Sequence, residues 1–437
     1  MVNIIQPLTR KLYRLSKLQI VRTIALTSLR ILVLILIVVA ILPVALLPIG
    51  TAVPKSILVL FAVADVALVV ALFRLSLTVP VILTTFAGFV AIALLAIFAS
   101  QVCASTPSIL DVNGNPIPHS IAVLEKAKLG GSEQWITLRG KDIKRPVLLF
   151  LSGGPGGSEL VWTRKYLAKL EEHFIVVNWD QPGAAKSYDA VPIQLLTTER
   201  YISDAHELVE MMRSRFHQDK IYVMGESWGS ILGIKLVQRY PELFHAYVGS
   251  GQMVNTTEDD VMGYQFALKL ASKRSDTKTL KALQNNGSPP YVGDGMFTKY
   301  LAYITVLNSY MYAHAAGEGI ESNRLLDILF GIEYGLVDKV NWFRGLIDVW
   351  TVFYPKLADL DFTTQATKLE VPVYFVVGRW DVNAMTSLVE RYYKVLQAPH
   401  KEVIWFEKSG HDPIYEEPNK FVDVMVNRVL AQTHLVP

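Results

Sequence analysis

Three long apolar runs open the chain, and a different rhythm follows them. Residues 31–50, 57–73 and 79–103 are almost free of charge, and each meets the ~17–25 residues a helix needs to cross the hydrocarbon core of a bilayer. The pattern predicts three transmembrane helices within 31–104. A cleaved secretory signal would account for the first run but not for the two that follow at once. Asp65 interrupts the second run, where a central carboxylate costs ~2.5–3.5 kcal/mol on insertion scales and is a functional candidate by default. The spans carry no other sign of a transport path, so Asp65 is expected to be protonated or bonded to Thr84 and Thr85 on the next span.

Beyond a Pro/Gly/Asn-rich linker at 105–119, short β-branched runs alternate with helical spacing. Strands are predicted at Ser132–Leu138, Val147–Leu151, Phe174–Trp179, Ile221–Met224, Ala246–Gly249, Val371–Val377 and Val403–Phe406, and helices at Leu160–Leu170, Arg200–Phe216 and Ser230–Tyr240. Strands alternating with helices imply an α/β fold, a mostly parallel sheet covered on both faces. The alternation stops at 255–365, which is helical in character, rich in Tyr, Phe and Leu, and broken by the turn Asn285-Asn-Gly-Ser-Pro-Pro290. The expected organisation is a basic segment at 1–30, the spans at 31–104 and the linker. A catalytic core at 120–254 and 366–437 follows, with a helical cap inserted at 255–365.

Charge fixes an orientation. Residues 1–30 hold six of the basic side chains (Arg10, Lys11, Arg14, Lys17, Arg22, Arg30) and no acid, whereas Lys55 and Arg74 stand alone between the spans. The N-terminus is therefore expected in the cytoplasm and, after three spans, the catalytic part outside a cell membrane. Leu8–Leu29 reads either as a helix lying on an anionic membrane surface or as a disordered basic tail. Because the net charge of the whole chain is only +3, the remainder is mildly acidic, which argues against nucleic acid as a partner. The single Cys103 excludes an internal disulfide and a thiolate metal cluster.

Against this map Gly225-Glu-Ser-Trp-Gly229 acquires meaning. It directly follows an apolar run and precedes a helical one, so Ser227 sits on a strand-to-helix turn, the context a nucleophile elbow requires. A serine hydroxyl needs a base, and the base needs an orienting acid. Downstream, in the order Ser, acid, His, come Asp381 at the end of an apolar strand and His411 in the loop after the last one. His400 leads into a strand and His434 lies in the terminal tail; Asp412 competes for the acid role but adjoins His411. Oxyanion donors are expected at the backbone of Trp228 and at the glycine loop Ser152-Gly-Gly-Pro-Gly-Gly157, from Gly154 or, failing that, Gly153. The Trp228 ring should line the pocket. Glu226 either braces the turn or meets a substrate amine.

Ser152-Gly-Gly-Pro-Gly-Gly157, Asn178-Trp-Asp-Gln-Pro-Gly-Ala-Ala-Lys-Ser187, Gly225-Glu-Ser-Trp-Gly-Ser230, Gly378-Arg-Trp-Asp381 and Ser409-Gly-His411 together resemble the proline iminopeptidase branch of the α/β-hydrolases. The resemblance implies an α/β-hydrolase fold with a helical cap and a triad of Ser227, Asp381 and His411. Ser152 stands where the branch usually has His, and Pro182 and Ala185 replace Arg and Gly of its Asp-Gln-Arg-Gly-x-Gly pattern. The cap glutamates with which the branch holds a substrate amine have no clear counterpart. Glu333 is a candidate, with a solvated helix residue as the plainer account. The expectation is a membrane-anchored serine hydrolase, without metal or organic cofactor, cleaving short peptides or amino-acid amides. An esterase or lactonase on small acyl compounds, or a non-catalytic membrane receptor that kept the fold, remain as alternatives.

Overall fold

The computed structural model describes residues 2–75, 78–319 and 324–433, and these form two compact units. The first comprises residues up to Ala104 together with Gly335–Val337. Its helices are α1 (Val2–Gly50), α2 (Lys55–Arg74) and α3 (Val79–Val102). All three are long and apolar enough to cross a membrane, the first over Gln19–Gly50. Helix α1 continues without a break through residue 30. Pro54 starts α2, its fixed φ suiting the entry to a helix. Asp65 is buried in this unit, yet neither carboxylate oxygen has a hydrogen-bond partner among the described residues. Thr85 instead turns its hydroxyl back to Val81 O, 2.8 Å away within its own helix.

The second unit is built on an eight-stranded sheet: β1 (Ile121–Leu129), β2 (Ser132–Gly140), β3 (Val147–Leu151), β4 (Ile175–Asp180), β5 (Ile221–Glu226), β6 (Phe244–Ser250), β7 (Val373–Gly378) and β8 (Lys401–Phe406). The spatial order is β1-β2-β4-β3-β5-β6-β7-β8. The contacts β1/β2 and β2/β4 are antiparallel and the rest parallel. Strand β1 is absent from the sequence expectation. Its residues, IAVLEKAKL, are only partly buried and include Glu125, Lys126 and Lys128, as an edge strand allows.

Central strands read as unbroken apolar runs because both faces are covered. Successive side chains enter opposite cores: Leu148, Phe150, Tyr222 and Met224 pack on one side, Leu149, Leu151, Val223 and Tyr247 on the other. Helices α4 (Leu160–Tyr166), α5 (Thr198–Phe216) and α6 (Trp228–Arg239) connect these strands; the stretch predicted as one helix to Leu170 tightens into a 3₁₀ turn at Ala168–Glu172. Between β6 and β7 lie α7 (Thr256–Lys273), α8 (Thr277–Asn286), α9 (Met296–His314), α10 (Arg324–Phe330), α11 (Leu336–Phe353) and α12 (Phe362–Gln365). The first three share an aromatic core of Tyr264, Tyr300 and Tyr303.

Strands β3 and β5 are neighbours whose following connections run in opposite directions, to β4 and to β6, opening a crevice at the carboxyl ends of the strands. Helix α6 reaches this edge only because Gly229 is bare: a Cβ there would lie 2.0 Å from Leu151 O. Gly229→Ala is expected to push α6 off β3 and destabilise the fold by about 1–3 kcal/mol, the usual cost of overpacking. A thermal or denaturant melt against wild type measures it, and an unchanged midpoint would contradict the close approach.

Candidate active site

Ser227 joins β5 to α6 at φ 50° and ψ −117°. A non-glycine residue with positive φ is uncommon, and such strain costs roughly 1–3 kcal/mol, sustained only where the surroundings enforce it. Here they do. Ser227 N–H donates to Ser250 O at 2.9 Å, and Ser227 O accepts Ser230 N–H at 2.9 Å and Ser230 Oγ–H at 2.6 Å. A Cβ on Gly225 would lie 2.2 Å from Gly229 O, so the turn tolerates no side chain there.

The loops after β7 and β8 bring two further side chains to this turn. His411 Nε2 lies 3.0 Å from Ser227 Oγ, and His411 Nδ1 lies 3.0 Å from Asp381 Oδ2. Asp381 is fixed in turn, its Oδ1 accepting the N–H groups of Asn383 and Ala384 at 2.8 and 3.0 Å. A carboxylate facing Nδ1 selects the Nδ1–H tautomer and turns the Nε2 lone pair toward the serine hydroxyl. Burial opposes a charge on His411, but Asp381, Asp412 and Glu416 outweigh it and raise its pKa to about 9. Asp412 does not take the orienting place: its Oδ2 accepts Arg324 Nη2–H at 2.5 Å. His434 lies outside the described residues.

Of the expected oxyanion donors, Trp228 is the first residue of α6, so its N–H has no acceptor within the helix. Gly154 N–H likewise has no acceptor among the described residues. Gly153 is not available as the fallback, because its N–H donates to Glu159 Oε1 at 3.1 Å. The Trp228 ring packs edge-on against Tyr201 and Phe353, and its Nε1–H donates to Gln181 Oε1 at 2.9 Å. Ser152 has a scaffolding contact: its Oγ accepts Glu159 N–H at 3.2 Å.

A cavity of about 70 Å³ opens over Ser227, lined by Gly154, Trp228, Asp260, Trp350 and Tyr354 among others. It is small beside the ~300–1,000 Å³ of sites that hold drug-sized ligands. Asp260, from α7, was not foreseen. It is buried, and accepts the hydroxyls of Tyr303 and Tyr354 on Oδ1 at 2.8 and 2.9 Å and of Tyr300 on Oδ2 at 2.8 Å. Burial pushes its carboxyl up to about 6, against the three tyrosine hydrogen bonds. Glu333, by contrast, is neither a pocket residue nor solvated. It is wholly buried in an ion pair with Arg164 and accepts Thr106 Oγ1–H at 3.3 Å.

Around Ser227 lies a group of acids, of which Glu226 was marked by the sequence and Glu159 was not. The Glu226 carboxyl meets those of Glu159 and Asp412, with Glu226 Oε2 and Glu159 Oε1 converging beside Gly153, and Glu159 Oε2 accepts Tyr415 Oη–H at 2.9 Å. Glu226 Oε1 lies 3.8 Å from His411 Nε2. Burial drives the Glu226 carboxyl well above the usual range, with Glu159 and Asp412 adding to the effect. It raises Glu159 to about 7, hydrogen bonds from Glu226, Tyr415 and Gly153 pulling the other way.

Residues 146–282 match the family model described as the alpha/beta hydrolase fold. The chain is 30% identical over 321 residues to a probable aminopeptidase, YbaC, of Bacillus subtilis, covering 73% of this chain and 99% of that protein. It is 25% identical over 287 residues to a proline iminopeptidase of Saccharolobus solfataricus, covering 64% of this chain and 83% of that one. Among solved structures, the proline iminopeptidase of Mycobacterium smegmatis superposes with a TM-score of 0.53 at 16% identity, over 71% of this chain and 98% of that one. A parallel sheet with a strained serine turn at its carboxyl edge, and near-complete alignment to a relative at this identity, lead to one assignment: the chain belongs to the α/β-hydrolase family, among its aminopeptidase and proline iminopeptidase-like members, and is a hydrolase.

Proposed function

We propose that this hydrolase is a membrane-anchored serine aminopeptidase acting on short peptides or amino-acid amides through an acyl-enzyme. Ser227 attacks the carbonyl, His411 takes the serine proton and passes it to the leaving amine, and Asp381 holds the imidazole in its productive tautomer. The N–H groups of Trp228 and Gly154 receive the developing oxyanion. Water then attacks the acyl-serine, again with His411 as base. The observation that carries this reading is the unbroken relay Ser227–His411–Asp381, with both contacts at 3.0 Å.

The names of the relatives and the position of Asp260 favour a substrate with a free amino group over a simple ester. A carboxylate in the cavity wall, ionised above about pH 6, offers an ammonium group a partner screened from water. The small cavity suits one short acyl residue. The helices α1 to α3 supply the anchor. Six basic residues within the first 30, against one in each connection, favour a cytoplasmic N-terminus and a catalytic unit outside the cell membrane.

A fluorophosphonate probe applied to the full chain in membranes tests the nucleophile: wild type should label and Ser227→Ala should not. With His411 raised to about 9, the imidazole is protonated below that pH and its base form grows as pH rises. The labelling rate should therefore climb about tenfold per pH unit from 6 to 8 and level off near 9; a rate flat from pH 6 upward would contradict the electrostatics. Asp260→Asn should raise KM for aminoacyl anilides by about 10-fold or more, the scale of a lost buried charge pair, while leaving N-acylated analogues no worse than before. Equal loss on both would remove Asp260 from amine recognition. Added protease should digest the catalytic unit on intact cells; protection would reverse the orientation.

A further inference from the structure

Glu226 is an acid of the site that the relay leaves without a role, and its surroundings define one. It directly precedes Ser227 on β5 and is 2% exposed. Its Oε2 lies against the glycine loop, 2.3 Å from where a Cβ on Gly153 would stand; Glu159 Oε1 is 2.9 Å from the same point. Two carboxyl groups meeting in a buried site cannot both be ionised, so the pair retains a proton. Glu159 is already committed as an acceptor, to Gly153 N–H on Oε1 and Tyr415 Oη–H on Oε2, which makes Glu226 the donor of the shared hydrogen bond. The other oxygen, Oε1, faces His411 Nε2 at 3.8 Å, beyond hydrogen-bond reach.

The remaining charged groups around Glu226 agree with this state. Asp412, from the loop after β8, is a second acceptor for Glu226 and is itself ionised: burial pushes that carboxyl up, but Arg324, His411 and the hydrogen bond from Glu226 hold it below the usual range. Glu416 and Asp381 approach from the His411 side. No cation other than the imidazole itself faces Glu226 among the described residues, since Arg324 is spent on Asp412. A negative Glu226 would draw the imidazolium toward Oε1 and away from Ser227. A neutral one leaves Nε2 with the serine at 3.0 Å.

We propose that Glu226 is a positioning residue for the reaction, a neutral acid that shares its proton with Glu159 and so clasps the nucleophile turn to the oxyanion loop. Through Glu159 the clasp reaches Gly153 N–H, and Gly154 is the next residue along that loop. One hydrogen bond thus sets the spacing between Ser227 and an oxyanion donor. The inference rests on the relay proposed above and goes beyond it.

The test compares full-length wild type, Ser227→Ala, Glu226→Leu and Glu226→Gln in membranes. The first readout is the fluorophosphonate labelling rate across pH. Leucine keeps the bulk but not the donor and should slow labelling by about 30-fold at its plateau, less than the ~10²–10³-fold cost of losing an oxyanion donor outright. Glutamine is neutral and can donate to Glu159; it should recover all but about threefold of the rate and leave the pH midpoint in place. The second readout is infrared difference spectroscopy of wild type against Glu226→Gln at pH 8, where the carbonyl stretch of a protonated carboxylic acid should vanish in the variant. Circular dichroism on each variant confirms that it is folded. Glutamine as slow as leucine, a midpoint moved by a pH unit or more, or a difference spectrum without the acid band would each overturn the clasp while leaving the nucleophile assignment intact. Failure of wild type to label, or equal labelling of Ser227→Ala, would overturn both.

Discussion

The site depends on a close approach of two backbones. Strand β5 and helix α6 meet at Gly225 and Gly229 with no room for a methyl group, and Leu151 O of β3 presses on the same point. Once that contact is made, Ser227 has no choice but the left-handed conformation, and its hydroxyl projects from the edge of the sheet. The strain at one residue is held by a well-packed core on both faces of the sheet, a division of labour in which rigid elements fix a locally unfavourable geometry. Everything else, the imidazole, its acid and the glycine loop, converges on a serine that the scaffold has already aimed.

The topology explains why the partners arrive where they do. Loops that follow β3, β5, β7 and β8 all leave the sheet at its carboxyl edge, and the change of direction between β3 and β5 spreads them apart to make a crevice. Asp260 of α7, Ile304 of α9 and Trp350 of α11 then line the cavity over Ser227. The cavity that remains is narrow, and Asp260 is the acid among the described residues of its wall.

How much of this was legible in the chain follows from distance along it. Central strands are short apolar runs, and the serine turn, the acid after β7 and the histidine after β8 each carry a local mark, so Ser227, Asp381 and His411 could be singled out from spacing and order. The edge strand β1 could not, because an exposed strand lacks the apolar continuity by which buried ones are recognised. Glu159 and Asp260 were hidden for another reason. Glu159 and Tyr415 are 256 positions apart, and Tyr354 and Asp260 are 94 apart; only the folded chain brings them together. Glu333 misled because a lone acid in a helical stretch looks solvated, whereas Arg164, far away in sequence, takes it into the interior. Gly153 misled because its N–H was spoken for by a carboxylate whose position no local pattern reveals.

The three tyrosines on Asp260 come from two different places, α9 and the turn after α11, while the carboxylate itself belongs to α7. A ligand that takes a lone pair of Asp260 must compete with hydroxyls anchored in separate helices. By thermodynamic reciprocity, whatever loosens those helices changes the affinity of the wall, and whatever fills the wall changes how tightly the helices hold together. One carboxylate thus joins the wall of the cavity to the packing of three helical segments.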